Sequence, residues 1–191
     1  EVFGEAIGKL IQAAKQIEFA GFPLSNLDVG GGLGIDYHSG DSEIEKIEEY
    51  LQTVETAFGD YPAEIWFEPG RIAVARSGVL MAKVEYLKKT PYKNFLILNA
   101  GMNHLLRPAL YQAYHRILPL MEKMNRKSIV VDVVGPICES ADVLGFDRTL
   151  PELREGEWVA IMDVGAYGEV MNMDYNLQAR PKVLNFGGQD V

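Results

Sequence analysis

The chain has 191 residues, 48% hydrophobic and 24% charged, with a formal net charge of −9. That length allows one large domain or two small ones around a substantial core, and the acidic balance excludes nucleic acid or an anionic membrane as the main partner, since both need clustered Lys and Arg. One cysteine, Cys138, excludes an internal disulfide, and no apolar run reaches membrane-spanning length, so the expectation is a soluble, cytoplasmic protein.

The chain opens in helical periodicity, with Phe3, Ile7, Leu10, Ala14 and Ile17 on one face. Glu5, Lys15 and Glu18 interrupt the first twenty residues, which do not read as a signal peptide. Gly21-Phe22-Pro23 breaks the helix, and residues 24–29 (LSNLDV) read as a buried strand ending in the glycine-rich loop GGGLGIDYHSGD. A second helix is predicted from about Ser42 to Phe58, with Ile44, Ile47, Leu51, Val54 and Phe58 on its apolar face. Ser42 and Glu45 have capping-box spacing, and Gly59 stands where a helix terminus favours glycine. Residues 64–68 (EIWFE) form the next strand, completing a βαβ unit of a parallel α/β sheet or barrel.

Past Arg76 the texture changes to strands: 79–87, 95–101, 128–135 and 157–167, with one helix from Pro108 to about Leu118. Leu110, Tyr114, Ile117 and Leu118 mark its expected buried side. Strands without intervening helices imply an antiparallel sheet or barrel. The predicted organisation is therefore α/β plus all-β: residues 1–76 as the C-terminal part of a TIM-like α/β barrel, then residues 77–191 as a β domain, barrel or sandwich. The absence of a starting methionine, and the end at residues 187–191 just after the strand-like KVLNF (182–186), suggest a piece of a larger protein cut short at both ends.

Five motifs carry chemistry. GGGLG (30–34) follows a parallel strand, where consecutive backbone N–H groups can converge on an anion, although a plain tight turn needs glycine just as much. It is neither a P-loop nor a dinucleotide fingerprint. EPGR (68–71) closes the neighbouring strand, so Arg71 and the Gly70 backbone can share that phosphate and Glu68 projects nearby; a surface turn is the plain alternative. NAGMNHLLRPALYQAYH (99–115) sets Arg107, able to bind a carboxylate in bidentate fashion, beside Tyr111 at a helix start. GPICESADVLG (135–145) holds Cys138 beside the carboxylate Glu139, either a reactive group or simply a small buried residue. DVGAYG (163–168) offers Tyr167 at a strand edge, to a ligand or to packing. His38, His104 and His115 lack metal-ligand spacing, and no metal site is expected.

Taken in order, GGGLG, EPGR, NAGMNHLLRPALYQAYH, GPICESADVLG and MDVGAYG…YN resemble the diaminopimelate decarboxylase family of pyridoxal-phosphate enzymes, which has the alanine-racemase-like fold. The resemblance covers essentially the whole chain, and the CES and RPALY runs set it apart from ornithine and arginine decarboxylases. It implies decarboxylation of meso-diaminopimelate to L-lysine in a homodimer with shared active sites. It assigns Gly30, Gly31, Gly32, Gly34, Gly70 and Arg71 to the cofactor phosphate and its surroundings, Glu68 to the pyridine nitrogen and Tyr167 to the lining of the cofactor pocket, where it also meets substrate. Arg71, Arg107 and Tyr111 would grip the distal end of the substrate, with Glu139 reading its amino group. Cys138 would give the proton, in the partner subunit's site. The family's Schiff-base lysine and stacking histidine have no counterpart in these 191 residues, so the stretch alone is expected to be inactive. A related amino-acid decarboxylase of the same fold, or a non-catalytic homologue acting as an interaction module, are the alternatives.

Overall fold

The computed structural model describes residues 2–41, 43–120 and 125–186, which divide into two compact units, Glu1–Val74 and Ala75–Val191. In the first, helix α1 (Val2–Phe19) packs on helix α2 (Ile44–Phe58) beside strands β1 (Asn26–Asp28) and β2 (Glu64–Trp66). The two strands pair in parallel, Asn26 opposite Glu64 and Asp28 opposite Trp66, so β1–α2–β2 is the βαβ unit expected from the hydrophobic pattern. Helix α3 (Gly70–Val74) follows directly. The core joins Ile7, Ile11 and Ala14 of α1 to Leu27, Leu33, Tyr50, Val54 and Phe58.

The apolar faces differ from those read off the sequence. Ile11 is buried beside Ile7 and Ala14, while Ile17, near the end of α1, is exposed. In α2 the buried side is Tyr50, Val54 and Phe58, and Ile44, Ile47 and Leu51 face outward. The 3.6-residue period allows either stripe, and the large aromatic rings of Tyr50 and Phe3, edge to face at 4.9 Å, select one of them. Ser42 of the expected capping box lies outside the described residues; the cap position is Glu43, without a side-chain capping bond. Gly59 ends α2 at φ 51°, its N–H donating to the Glu55 carbonyl.

The second unit is a six-stranded mixed sheet built from β3 (Leu80–Lys89), β4 (Asn94–Leu98), β5 (Ile117–Pro119), β6 (Ser128–Val134), β7 (Val143–Pro151) and β8 (Trp158–Ile161), in the order β5-β8-β3-β4-β6-β7. Strand β3 is long enough to serve two partners, β8 along its first half and β4 along its second. Edge strands β5 and β7 touch, so the sheet curls toward a barrel around Val84, Leu96, Leu98, Leu105, Val131, Val133, Leu144, Val159 and Ile161.

Three expectations need correction here. The sheet is not wholly antiparallel: β4 and β6 run parallel, and a parallel pair requires a crossover between them. That crossover carries helix α4 (Arg107–Tyr111), which stops after five residues because Gln112 turns left-handed at φ 53°. Ile117 and Leu118, read as the end of a helix, instead pair with Ile161 and Ala160 in β5, while Leu110 is exposed. Strand β7 escaped the sequence reading because a bulge opposite Asp132 breaks its alternation, with Asp147 at φ 49° donating its N–H to the Asp132 carboxylate. Residues 182–186, read as a strand, form none.

Candidate active site

The first unit gathers one group of the expected residues at the C-terminal ends of β1 and β2. Val29 N–H donates to the Trp66 carbonyl, and Glu68 N–H to the Gly30 carbonyl at 2.8 Å, so the ladder continues past the strands and ties the glycine loop to EPGR. Gly30 and Gly32 take φ 70° and 89°, a left-handed backbone open to glycine at little cost. A Cβ on Gly31 would collide with the Glu68 carbonyl oxygen, whereas one on Gly34 would meet only Arg71 Nη1 at 3.7 Å. Two backbones therefore approach as closely as glycine permits, beside the exposed Glu68 side chain and half-buried Arg71. Gly70 begins α3, its N–H turned to the Glu68 carbonyl.

The second unit gathers the other group. Arg107 opens α4 and is 6% exposed, while Tyr111, at the end of the same helix, is 63% exposed. Arg107 Nη1 lies 3.0 Å from Nε2 of His115, which is wholly buried. Nδ1 of His115 lies 2.8 Å from the Met162 carbonyl, which can only accept. Nδ1 therefore carries the proton, and Nε2 accepts from Arg107. Burial, together with the cations Arg107 and Arg148, pushes the imidazole pKa down to about 4 against the pull of the Met162 carbonyl and Asp163.

Cys138 and Glu139 stand exposed on the loop between β6 and β7. Asp142, 3% exposed, holds that loop from within: its Oδ2 accepts the Ile137 N–H at 2.7 Å, and its Oδ1 accepts the Met102 N–H at 2.6 Å. Gly101 and Gly135 make room for this carboxylate, since a Cβ on either would lie within 2.6 Å of it. One carboxylate thus ties the segment bearing Cys138 to the turn that leads into Arg107. Burial raises the Asp142 pKa, and its two backbone donors oppose the rise. Tyr167, half exposed, follows a loop fixed by Val164 and Gly165 N–H bonds to the Gly78 and Ala75 carbonyls. Beyond it the chain returns, with Met173 N–H on the Asn103 carbonyl and the Tyr175 hydroxyl donating to Glu139 Oε2 at 3.2 Å.

Three of these side chains were not singled out from the sequence. His115 was weighed only as a metal ligand, although it sits within the same run as Arg107. Asp142 lies four residues past Cys138, in a run whose two reactive-looking residues drew the attention. Tyr175 belongs to the YN that closes the run of resembling motifs, but its contact with Glu139 is not legible there, because the two are 36 residues apart.

A model of the family described as "Pyridoxal-dependent decarboxylase, C-terminal sheet domain" matches residues 27–165. The chain belongs to the pyridoxal-dependent decarboxylases. It is 39% identical over 178 residues to a diaminopimelate decarboxylase of Aquifex aeolicus and 42% identical over 186 residues to one of Helicobacter pylori, spanning 93% and 97% of this chain. It covers 42% and 45% of the length of those two relatives. The crystal structure of the Helicobacter pylori diaminopimelate decarboxylase complexed with L-lysine superposes with a TM-score of 0.85 at 40% identity, over 94% of this chain and 44% of that one.

Pyridoxal phosphate is the cofactor of this family. The first unit fits part of it. The close backbone approach at Gly31 and the left-handed Gly30 and Gly32 form a tight glycine turn of the kind whose backbone can come close to a phosphate, with a carboxylate and a guanidinium adjacent.

Proposed function

We propose that the protein decarboxylates meso-diaminopimelate to L-lysine and carbon dioxide, a step of lysine biosynthesis, as a cytoplasmic homodimer whose two sites each draw on both subunits. The observation that carries this is identity of about 40% to diaminopimelate decarboxylases along nearly the whole chain, through the runs that hold Arg107, Cys138 and Glu139.

The glycine loop Gly30–Gly34 would hold the cofactor phosphate on backbone N–H groups, with the Gly70 turn and the Arg71 guanidinium beside it. Bound there, pyridoxal phosphate supplies the sink for the electron pair left when carbon dioxide departs. Glu68 would keep the proton on the pyridine nitrogen, which deepens that sink. The substrate has an amino-acid group at each end, so the unreacting end needs one cationic and one anionic contact. Arg107, with Tyr111 and Arg71, takes its carboxylate, and Glu139 takes its ammonium. Cys138 then gives its Sγ proton to the carbon that has lost carbon dioxide. Its exposure on a loop anchored by Asp142 suits service to the partner subunit's site. Tyr167 lines the cofactor pocket.

The test is turnover by protein expressed from the complete reading frame with pyridoxal phosphate. meso-Diaminopimelate should yield L-lysine and carbon dioxide in equal amounts, at a kcat/KM well above that for D-lysine or ornithine. Preference for either of those, or no turnover of any, would overturn the assignment.

A further inference from the structure

We propose that His115 is a positioning residue that aims the Arg107 guanidinium at the distal carboxylate of the substrate, and so helps set selectivity for a ligand bearing that group. This rests on the reading of Arg107 given above. Helix α4 is only five residues long and ends at a left-handed Gln112, so it does little by itself to orient a long side chain at its first position. The imidazole supplies a constraint from outside the helix. It spans from the Met162 carbonyl to Arg107 Nη1 with bonds of 2.8 and 3.0 Å. The Met162 end is itself fixed: its N–H donates to the Arg116 carbonyl, directly after the β5–β8 ladder at Ile117 and Ile161. The ring is thus a spacer of set length between the end of β8 and the guanidinium.

The chemistry of the spacer matters as much as its length. A carboxylate in this position would orient Arg107 too, but would cancel its charge and compete with the incoming carboxylate. A neutral imidazole accepts one N–H and leaves the cationic charge in place. The contacts require the neutral form, because a second ring proton would point at the Arg107 N–H. Burial and the nearby Arg148, stacked over the Tyr114 ring at 3.8 Å, keep that proton away.

Two substitutions separate the ends of the spacer in protein from the complete reading frame. His115→Asn keeps a donor for Met162 but withdraws the acceptor from Arg107; His115→Gln can return an acceptor near the Nε2 position. The probes are L-lysine and 1,5-diaminopentane, which differ only by the carboxylate, with binding read by calorimetry beside kcat and KM for meso-diaminopimelate. His115→Asn should weaken L-lysine about tenfold or more, leave the diamine within about twofold, and raise KM more than it lowers kcat; His115→Gln should recover most of the loss. Equal loss of both probes, or L-lysine binding unchanged in His115→Asn while Arg107→Ala loses it, would overturn the proposal alone. Unchanged L-lysine binding in Arg107→Ala would overturn the reading of Arg107 and the proposal with it. Should His115→Asn not fold, nitrogen NMR of the wild-type protein decides: a protonated Nδ1 whose ring signals respond to L-lysine and not to the diamine supports the role, and a protonated Nε2 sinks it.

Discussion

At the scale of single residues, the two groups that organise the β unit are both buried and titratable. His115 has its pKa pushed down to about 4, mainly by burial, so between pH 6.5 and 4 the unfolded chain binds a proton there that the fold refuses. Its contribution therefore makes the protein less stable as the pH falls through that window, levelling below pH 4, by on the order of 3 kcal/mol in total. Asp142, raised by burial, has the opposite linkage, its contribution weakening as the pH rises above the ordinary carboxyl range. Denaturant melts from pH 4 to 7 on wild type and His115→Gln isolate the first effect: the difference between the two curves should slope with pH, and parallel curves would contradict it. Asp142→Ala leaves the Ile137 and Met102 N–H groups without their acceptor and opens space beside Gly101 and Gly135. A loss of about 2–4 kcal/mol is expected from equilibrium unfolding. The same variant should quicken alkylation of Cys138, because the loop that carries it is released.

The elements divide into those that follow from local pattern and those that need a partner. The glycine loop after β1 belongs to the first kind, and its glycines are not equivalent. Gly31→Ala must drive a methyl into the Glu68 carbonyl and reshape the turn, whereas Gly34→Ala adds an ordinary contact. In the complete protein, Gly31→Ala should lose pyridoxal-phosphate affinity by about tenfold or more, read by cofactor absorbance on titration, and Gly34→Ala by far less. Equal effects would remove the loop's backbone geometry from the argument. The crossover from β4 to β6 belongs to the second kind. Its residues 112–118 have helical periodicity, yet they leave the helix because β8 offers an edge to pair with. Strand β7 likewise takes its bulge from the Asp132 contact, not from its own composition.

On the scale of the whole molecule, the residues proposed for the cofactor, Tyr167 apart, lie in the unit Glu1–Val74, and the proposed proton donor Cys138, with Arg107, Tyr111 and Glu139, lies in Ala75–Val191. If each site draws these from different subunits, two damaged chains can repair one another. Glu68→Ala and Cys138→Ala chains of the complete protein, each inactive alone, should regain about a quarter of wild-type activity when mixed one to one and allowed to exchange. No recovery, with exchange verified by mass labelling, would confine Cys138 to its own subunit's site. Cys138→Ala by itself should cut turnover far more than it weakens cofactor binding.

The sequence by itself determined the βαβ unit, the change to strands past Arg76, and the order of motifs that points to a pyridoxal-phosphate decarboxylase. Each of these is written in short-range periodicity or in the residue types of one continuous run. Only the tertiary structure decided which stripe of α2 is buried, that β4 and β6 run parallel, and that residues 117–119 pair as a strand. It also decided the contacts that His115 and Asp142 make. Their partners Met162 and Met102 lie 47 and 40 residues away along the chain. A hydrogen bond to a distant backbone group leaves no spacing in sequence by which it could be read.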